Sequence, residues 1–151
     1  WAKNETKPKV VIAYETMWTA TEKMAKKIAE AIVDRGIEVM LFNVALSDRT
    51  EVIKEMLNAK GYLIGSSTHD NGMLPVMAGF LEFFKGLKPK NRIGSAFGSY
   101  GWAGGAIKEI EEMVKAAGVT IVQESLGIQY APSREDMEAC YNWGIEFAKK
   151  I

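Results

Sequence analysis

VVIAYETMWTATEKMAKKIAEAIVDRG, the stretch from Val10 to Gly36, decides the fold. Val10, Val11, Ile12, Ala13 and Tyr14 form a short apolar run rich in β-branched residues, the pattern of a strand buried on both faces. From Thr21 the period becomes helical. Met24, Ala25, Ile28, Ala29 and Ile32 recur at one-turn spacing, and Glu22, Lys23, Lys26, Lys27 and Glu30 fall on the other side. Gly36 ends the helix as a glycine just past the C-cap does. A buried strand, a short loop and an amphipathic helix make one βα unit.

The rest of the chain repeats that unit. Strands are predicted at Ile37 to Phe42, Gly61 to Gly65, Ile93 to Gly98, and Val119 to Val122 with Leu126 to Tyr130 after a break at Gln123 to Ser125. Helices are predicted at Arg49 to Asn58, Pro75 to Phe84 and Ala103 to Ala117, the last closed by Gly118. Pro132 and Ser133 open a final helix, with Asp136 placed to complete a capping box. Five βα units with short connections imply an α/β fold, a doubly wound five-stranded parallel sheet with helices on both faces. The common order is 2-1-3-4-5, with the ligand crevice at the strand carboxyl ends. The loops after strands one, three and four are therefore the ones to inspect.

Bulk properties narrow the function. The 151 residues suit one domain. Lys plus Arg and Asp plus Glu number 19 each, so no net field selects nucleic acid or a membrane. No apolar run approaches the roughly 20 residues of a membrane span. Cys140 is the only cysteine and His69 the only histidine, which excludes an internal disulfide, a cysteine-ligated metal and a histidine-rich cage. One cysteine agrees with a reducing, cytoplasmic setting. Trp1 to Pro8, WAKNETKP, is polar and aperiodic and reads as a linker remnant from a preceding domain, leaving the folded domain to residues 9–151.

After the first strand comes Thr16-Met17-Trp18-Thr19-Ala20-Thr21. A helix N-terminus offers free N–H groups and a partial positive charge, and three threonine hydroxyls can add donors for an anion. With no Lys and no Gly-rich fingerprint, neither a Walker loop nor a dinucleotide site is indicated; a terminal phosphate monoester fits. The plainer reading of the same loop is a Thr19 N-cap with Glu22 as its capping-box partner. After the third strand, Ser66-Ser67-Thr68-His69-Asp70-Asn71-Gly72 places polar groups and a turn where a ligand should lie. Ser67, His69 and Asp70 are too close in sequence to converge as a hydrolytic triad. After the fourth strand, Ser99-Tyr100-Gly101-Trp102-Ala103-Gly104-Gly105 combines flat aromatic surface with glycines that allow close backbone approach. No side chain is assigned as acid, base, nucleophile or metal ligand.

In this order, TMWTATEKMA (Thr16 to Ala25), GSSTHDNGMLP (Gly65 to Pro75) and FGSYGWAGGA (Phe97 to Ala106) resemble the flavodoxin-like domain of flavodiiron proteins, and the likeness runs from about Lys7 to Ile151. The resemblance implies one FMN. Thr16 to Thr21 would cradle its phosphate, and Thr68 to Gly72 and Ser99 to Gly105 would border its ring. His69 falls where many free-standing flavodoxins place a stacking aromatic, Tyr100 where they place a stacking Tyr, and Asp70 near a glycine whose peptide contacts the flavin. The resemblance also implies an N-terminal metallo-β-lactamase-like domain with two irons, a rubredoxin-like donor and a homo-oligomeric parent in which electrons pass to a neighbouring subunit. The H-x-E-x-D-H iron motif of that domain is absent from these residues.

Two other redox readings share the fold. A free-standing flavodoxin shuttling between enzymes is usually strongly acidic, unlike this neutral chain. A flavodoxin-like NAD(P)H:quinone reductase would need a nicotinamide site, for which no motif is present. A receiver-type signalling domain would need an Asp ending the third strand, where Ser66 and Ser67 stand.

Overall fold

A computed structural model describes residues 6–69, 72–101 and 104–151. The sheet is built from β1 (Lys7–Glu15), β2 (Glu38–Asn43), β3 (Ala59–Ser66), β6 (Ile93–Tyr100), β7 (Thr120–Ile121) and β8 (Leu126–Gln129). Its order is β2-β1-β3-β6, with β7 and β8 both paired to β6, and every pair is parallel. Counted as βα units this is the expected 2-1-3-4-5. Among the described residues the helices are α1 (Ala20–Asp34), α2 (Arg49–Asn58), α3 (Pro75–Lys85), α4 (Ala106–Ala116) and, after the last strand, α5 (Arg134–Ala148). A two-strand hairpin, β4 (Thr68–His69) with β5 (Gly72–Met73), was not expected from the sequence.

Strand alternation explains the two layers. Val10, Ile12 and Tyr14 pack with Met24, Ile28 and Ile32 of α1 and Phe147 of α5. Val11 and Ala13 pack on the opposite face with Met56 of α2, Met77 and Phe80 of α3 and Ile110 of α4. Burial on both faces is why β1 reads as an unbroken apolar run rather than an alternating one.

Boundaries shifted where local chemistry opposed the pattern. Lys7 and Pro8 already belong to β1, both exposed, so the strand begins inside the stretch read as a linker. Helix α4 starts at Ala106, with Gly105 as N-cap, and not at Ala103, because a glycine pair resists helix by roughly 1 kcal/mol per residue. The Ser133–Asp136 capping box is present in both directions. The Thr19–Glu22 box is not. Thr19 is the N-cap of α1, but it sits at φ 73°, and its side chain makes no capping bond.

The amino end of the sheet is held by buried charge. Lys9, 2% exposed, meets Glu55 of α2 at 2.7 Å, and that hydrogen bond holds the Glu55 carboxyl below its ordinary range. Buried Arg92 donates to the carbonyls of Leu57 and Lys90. The fifth strand is divided by Gln123 to Ser125. There the Gln123 carbonyl accepts from Ser95 Oγ at 3.0 Å, and the Glu124 carbonyl accepts from Trp143 Nε1 at 2.8 Å. Among the described residues no helix is long and apolar enough to cross a membrane.

Candidate functional site

At the carboxyl edge of the sheet the loops after β1, β3, β6 and β8 surround a cavity of about 290 Å³. That is the lower edge of the range of small-ligand pockets, roughly 300–1,000 Å³. Its walls are Met17, Trp18, Ala20, Ser67, Thr68, Ser99, Tyr100, Gly101, Tyr130 and Ala131. None of these carries a charge. The rim is apolar and open, with Trp18 82%, Tyr130 59% and Met17 40% exposed.

Each wall is fixed by bonds between loops. Glu15, buried at the end of β1, accepts the Met77 N–H at 3.2 Å and so caps α3 from another element. Ser66 Oγ accepts the Leu74 N–H at 3.0 Å and donates to the Ser67 carbonyl. Thr68 Oγ1 lies 3.4 Å from the N–H groups of both Gly105 and Ala106, which ties the third-strand loop to the start of α4. Glu109 of α4 accepts the Met73 N–H at 3.4 Å, and a Cβ on Gly72 would run into its carboxylate. Tyr130 stands at φ 61°, and its N–H donates to the Tyr100 carbonyl at 2.7 Å. Burial first, and then the Glu22 carboxylate beside it, holds the Tyr14 phenol above its ordinary range, so it remains a neutral donor to Glu22.

The residues singled out in sequence divide into groups. Met17, Trp18, Ala20, Ser67, Thr68, Ser99, Tyr100 and Gly101 line the cavity. Thr16 is half-buried, and its Oγ1 is fully buried with no hydrogen-bond partner among the described residues. Thr21 is wholly buried behind the wall, where its hydroxyl meets Ser67 Oγ at 2.9 Å and Ser99 Oγ at 2.8 Å. Thr19, His69 and Gly104 are exposed, Gly72 is buried in the hairpin, and Gly105 caps α4. Asp70, Asn71, Trp102 and Ala103 lie outside the described residues. Tyr130 and Ala131 were missed. Their signal was an aromatic at the carboxyl end of the fifth strand, just before Pro132.

Chemically, the start of α1 could favour an anion beside a slot whose described lining carries no charge and is largely apolar. The N-terminus of the 15-residue α1 opens beside it and favours negative charge. A β-branched residue at positive φ is strained, and Thr19 holds that conformation at this turn. The orphaned Thr16 oxygen would be costly if it stayed unpaired, by about 1–3 kcal/mol, and a phosphate oxygen would satisfy it. Phosphate, ribityl chain and ring are the parts of FMN, and the residues present fit that group.

A family model described as Flavodoxin matches residues 12–144. A nitric oxide reductase of Moorella thermoacetica is 47% identical over 152 residues, a match covering 100% of this chain and 38% of the relative. The solved structure of rubredoxin oxygen:oxidoreductase from Desulfovibrio gigas superposes with a TM-score of 0.95 at 36% identity, over 99% of this chain and 37% of that one. A flavodoxin from the domain Archaea gives a TM-score of 0.85 at 31% identity, over 94% of this chain and 97% of that one. The chain thus spans little more than a third of the two oxidoreductases it matches.

Proposed function

Because the chain belongs to the flavodoxin family, whose domains bind FMN, we propose that it is the electron-relay module of a flavodiiron protein. In this reading electrons arrive from a rubredoxin-like donor and leave to a diiron centre that reduces oxygen or nitric oxide. That centre lies in a metallo-β-lactamase-like domain of the longer parent, facing this module from a neighbouring subunit of a homo-oligomer. The single cysteine, buried and unpaired with another, suits a reducing cytoplasm. The observation that carries the reading is the buried Thr16 Oγ1, without a hydrogen-bond partner among the described residues, in the loop that also lines a cavity whose described walls carry no charge.

FMN, when bound, supplies reversible transfer of one or two electrons. The chain's residues position it. Thr16 and the N–H groups opening α1 would hold the phosphate; Tyr100, with the Trp18 and Tyr130 rings at the rim, would shelter the flat ring system. The exposed apolar rim is the surface against which a partner bearing the next redox centre closes.

Heat release and chromatography of the cofactor test this directly. One FMN per chain is expected; FAD, or a chain that ignores added FMN, overturns the reading. Thr16→Ala is expected to weaken FMN binding by roughly 1–3 kcal/mol, the worth of a hydrogen bond to a charged group. Riboflavin, which lacks the phosphate, should be indifferent to the same change. Titrating both ligands against both chains checks this by fluorescence.

A further inference from the structure

The turn that leads from β8 into α5 is pinned at both ends. Tyr130 follows β8 at φ 61°, and its N–H donates to the Tyr100 carbonyl at 2.7 Å. One residue earlier, Gln129 Nε2 donates to the Gly101 carbonyl at 2.9 Å. Three residues later, Ser133 opens α5 with its capping box. Between them Pro132 disfavours helical backbone at Ala131. The loop after β8 is thus tied to the loop after β6 on one side and to its own helix on the other.

A left-handed backbone in such a turn suits glycine or asparagine and penalises a bulky side chain. The chain has a tyrosine there. Its side chain lines the cavity and is 59% exposed, so packing in the free chain does not offset the strain. The other non-glycine residues at positive φ, among the described residues, sort by position. Lys88 and Asn91 precede β6, at the amino end of the sheet, and Thr19 opens α1 beside the cavity. Strain held by a bulky residue at a ligand cavity marks a position set by its side chain and not by its turn.

Resting on the FMN reading, we propose that Tyr130 is a binding residue for the isoalloxazine ring, an aromatic contact supplied by the fifth loop at a cost in fold stability. A Cβ on Gly101 would lie 3.8 Å from Tyr130 Cε1, so the ring packs beside that glycine and not into the core. Because β6 and β8 are paired at Tyr100 and Gln129, Tyr100 and Tyr130 reach the cavity from neighbouring strands as one unit. A flavin in the cavity covers the exposed Tyr130 ring, and that burial offsets the strain in the loaded chain.

Removing the ring should therefore move stability and affinity in opposite directions. Tyr130→Gly is expected to raise the Tm of the flavin-free chain by about 2–4 °C, through relief of the backbone strain. The same change should weaken FMN and riboflavin alike, about three- to tenfold, because the two ligands share the ring. Tyr130→Asn, which also tolerates left-handed backbone, should show the same pair of signs. Tyr130→Phe keeps the ring face and should bind both flavins as the parent does. Fluorescence titration with FMN and with riboflavin, beside thermal unfolding of the flavin-free chains, reads each effect. A lower Tm together with weaker binding in both the Gly and Asn variants would make Tyr130 a prop of the fold and overturn the proposal. A loss confined to FMN would place its effect at the phosphate and do the same, as would a Tyr130→Phe chain that binds no better than Tyr130→Gly. A parent chain that takes up no flavin fails the underlying reading; a parent that binds FMN while Tyr130→Gly and Tyr130→Asn match it fails the Tyr130 assignment alone.

Discussion

Reduced anaerobically and then mixed with oxygen or nitric oxide, the FMN-loaded chain is expected to reoxidise slowly and to show no sustained turnover to water or nitrous oxide. Flavin carries at most two electrons, so its direct reaction with oxygen ends at peroxide or superoxide. Four-electron reduction needs a centre that binds the gas and gathers charge, as a metal pair does. The ligands for such a centre are scarce in this sequence. His69 is the sole histidine, and Cys140 is the sole cysteine. Burial pushes the Cys140 thiol up to about 12, so it stays protonated and unavailable as a ligand at neutral pH. Among the described residues no three His, Cys, Asp or Glu side chains gather as a metal site. Stopped-flow reoxidation with product analysis decides the matter. Rapid multiple turnover to water or nitrous oxide without added iron protein would overturn the division of labour.

Gly98→Ala should be among the most damaging single-methyl changes in the molecule. A Cβ at Gly98 would lie closer than 3.0 Å to the carbonyl oxygen of Ser66, a backbone atom that cannot turn aside. β3 and β6 would have to part beside the point where Ser67 and Ser99 line the cavity. A loss of about 2–3 kcal/mol is expected, the upper range for overpacking, together with weaker FMN binding. Gly79 provides the contrast. It lies within α3 with nothing within 4 Å of a new Cβ, so Gly79→Ala should stabilise the chain by up to about 1 kcal/mol through helix propensity. Urea unfolding of both variants checks the signs. A neutral Gly98→Ala would mean that the two strands tolerate separation there.

The sheet was legible because its strands carry the signal of burial on both faces. Val10 to Tyr14 and the α1 stripe are long, periodic and capped, and local preference there agrees with the tertiary result. Even the break in the fifth strand could be read, because Gln123-Glu124-Ser125 interrupts an apolar run. What the sequence hid lies where loops are bonded to distant elements. The Thr19 capping box was a sound local expectation, but the site puts Thr19 at positive φ and sends Thr21 to two serines 46 and 78 residues away. The β4–β5 hairpin is tied to α4 by Glu109, which accepts the Met73 N–H, and by its own Thr68, whose Oγ1 lies 3.4 Å from the N–H groups of Gly105 and Ala106, and no periodicity carries that information. Tyr130 joined the cavity through the fold of a fifth loop whose residues look ordinary in the sequence.

The divided outer strand also bears on how the molecule keeps to itself. A sheet edge with a continuous row of unpaired N–H and C=O groups is a template for another chain. At one edge, β7 has two residues and β8 four, and the carbonyls of the intervening segment are turned to Ser95 and Trp143. An incoming strand finds no ladder there to extend. The opposite edge, β2, runs unbroken for six residues and, among the described residues, pairs only with β1. Aggregation by strand addition, in this chain and in variants that loosen it, is therefore channelled to β2, and charged or proline substitutions against it belong on that strand.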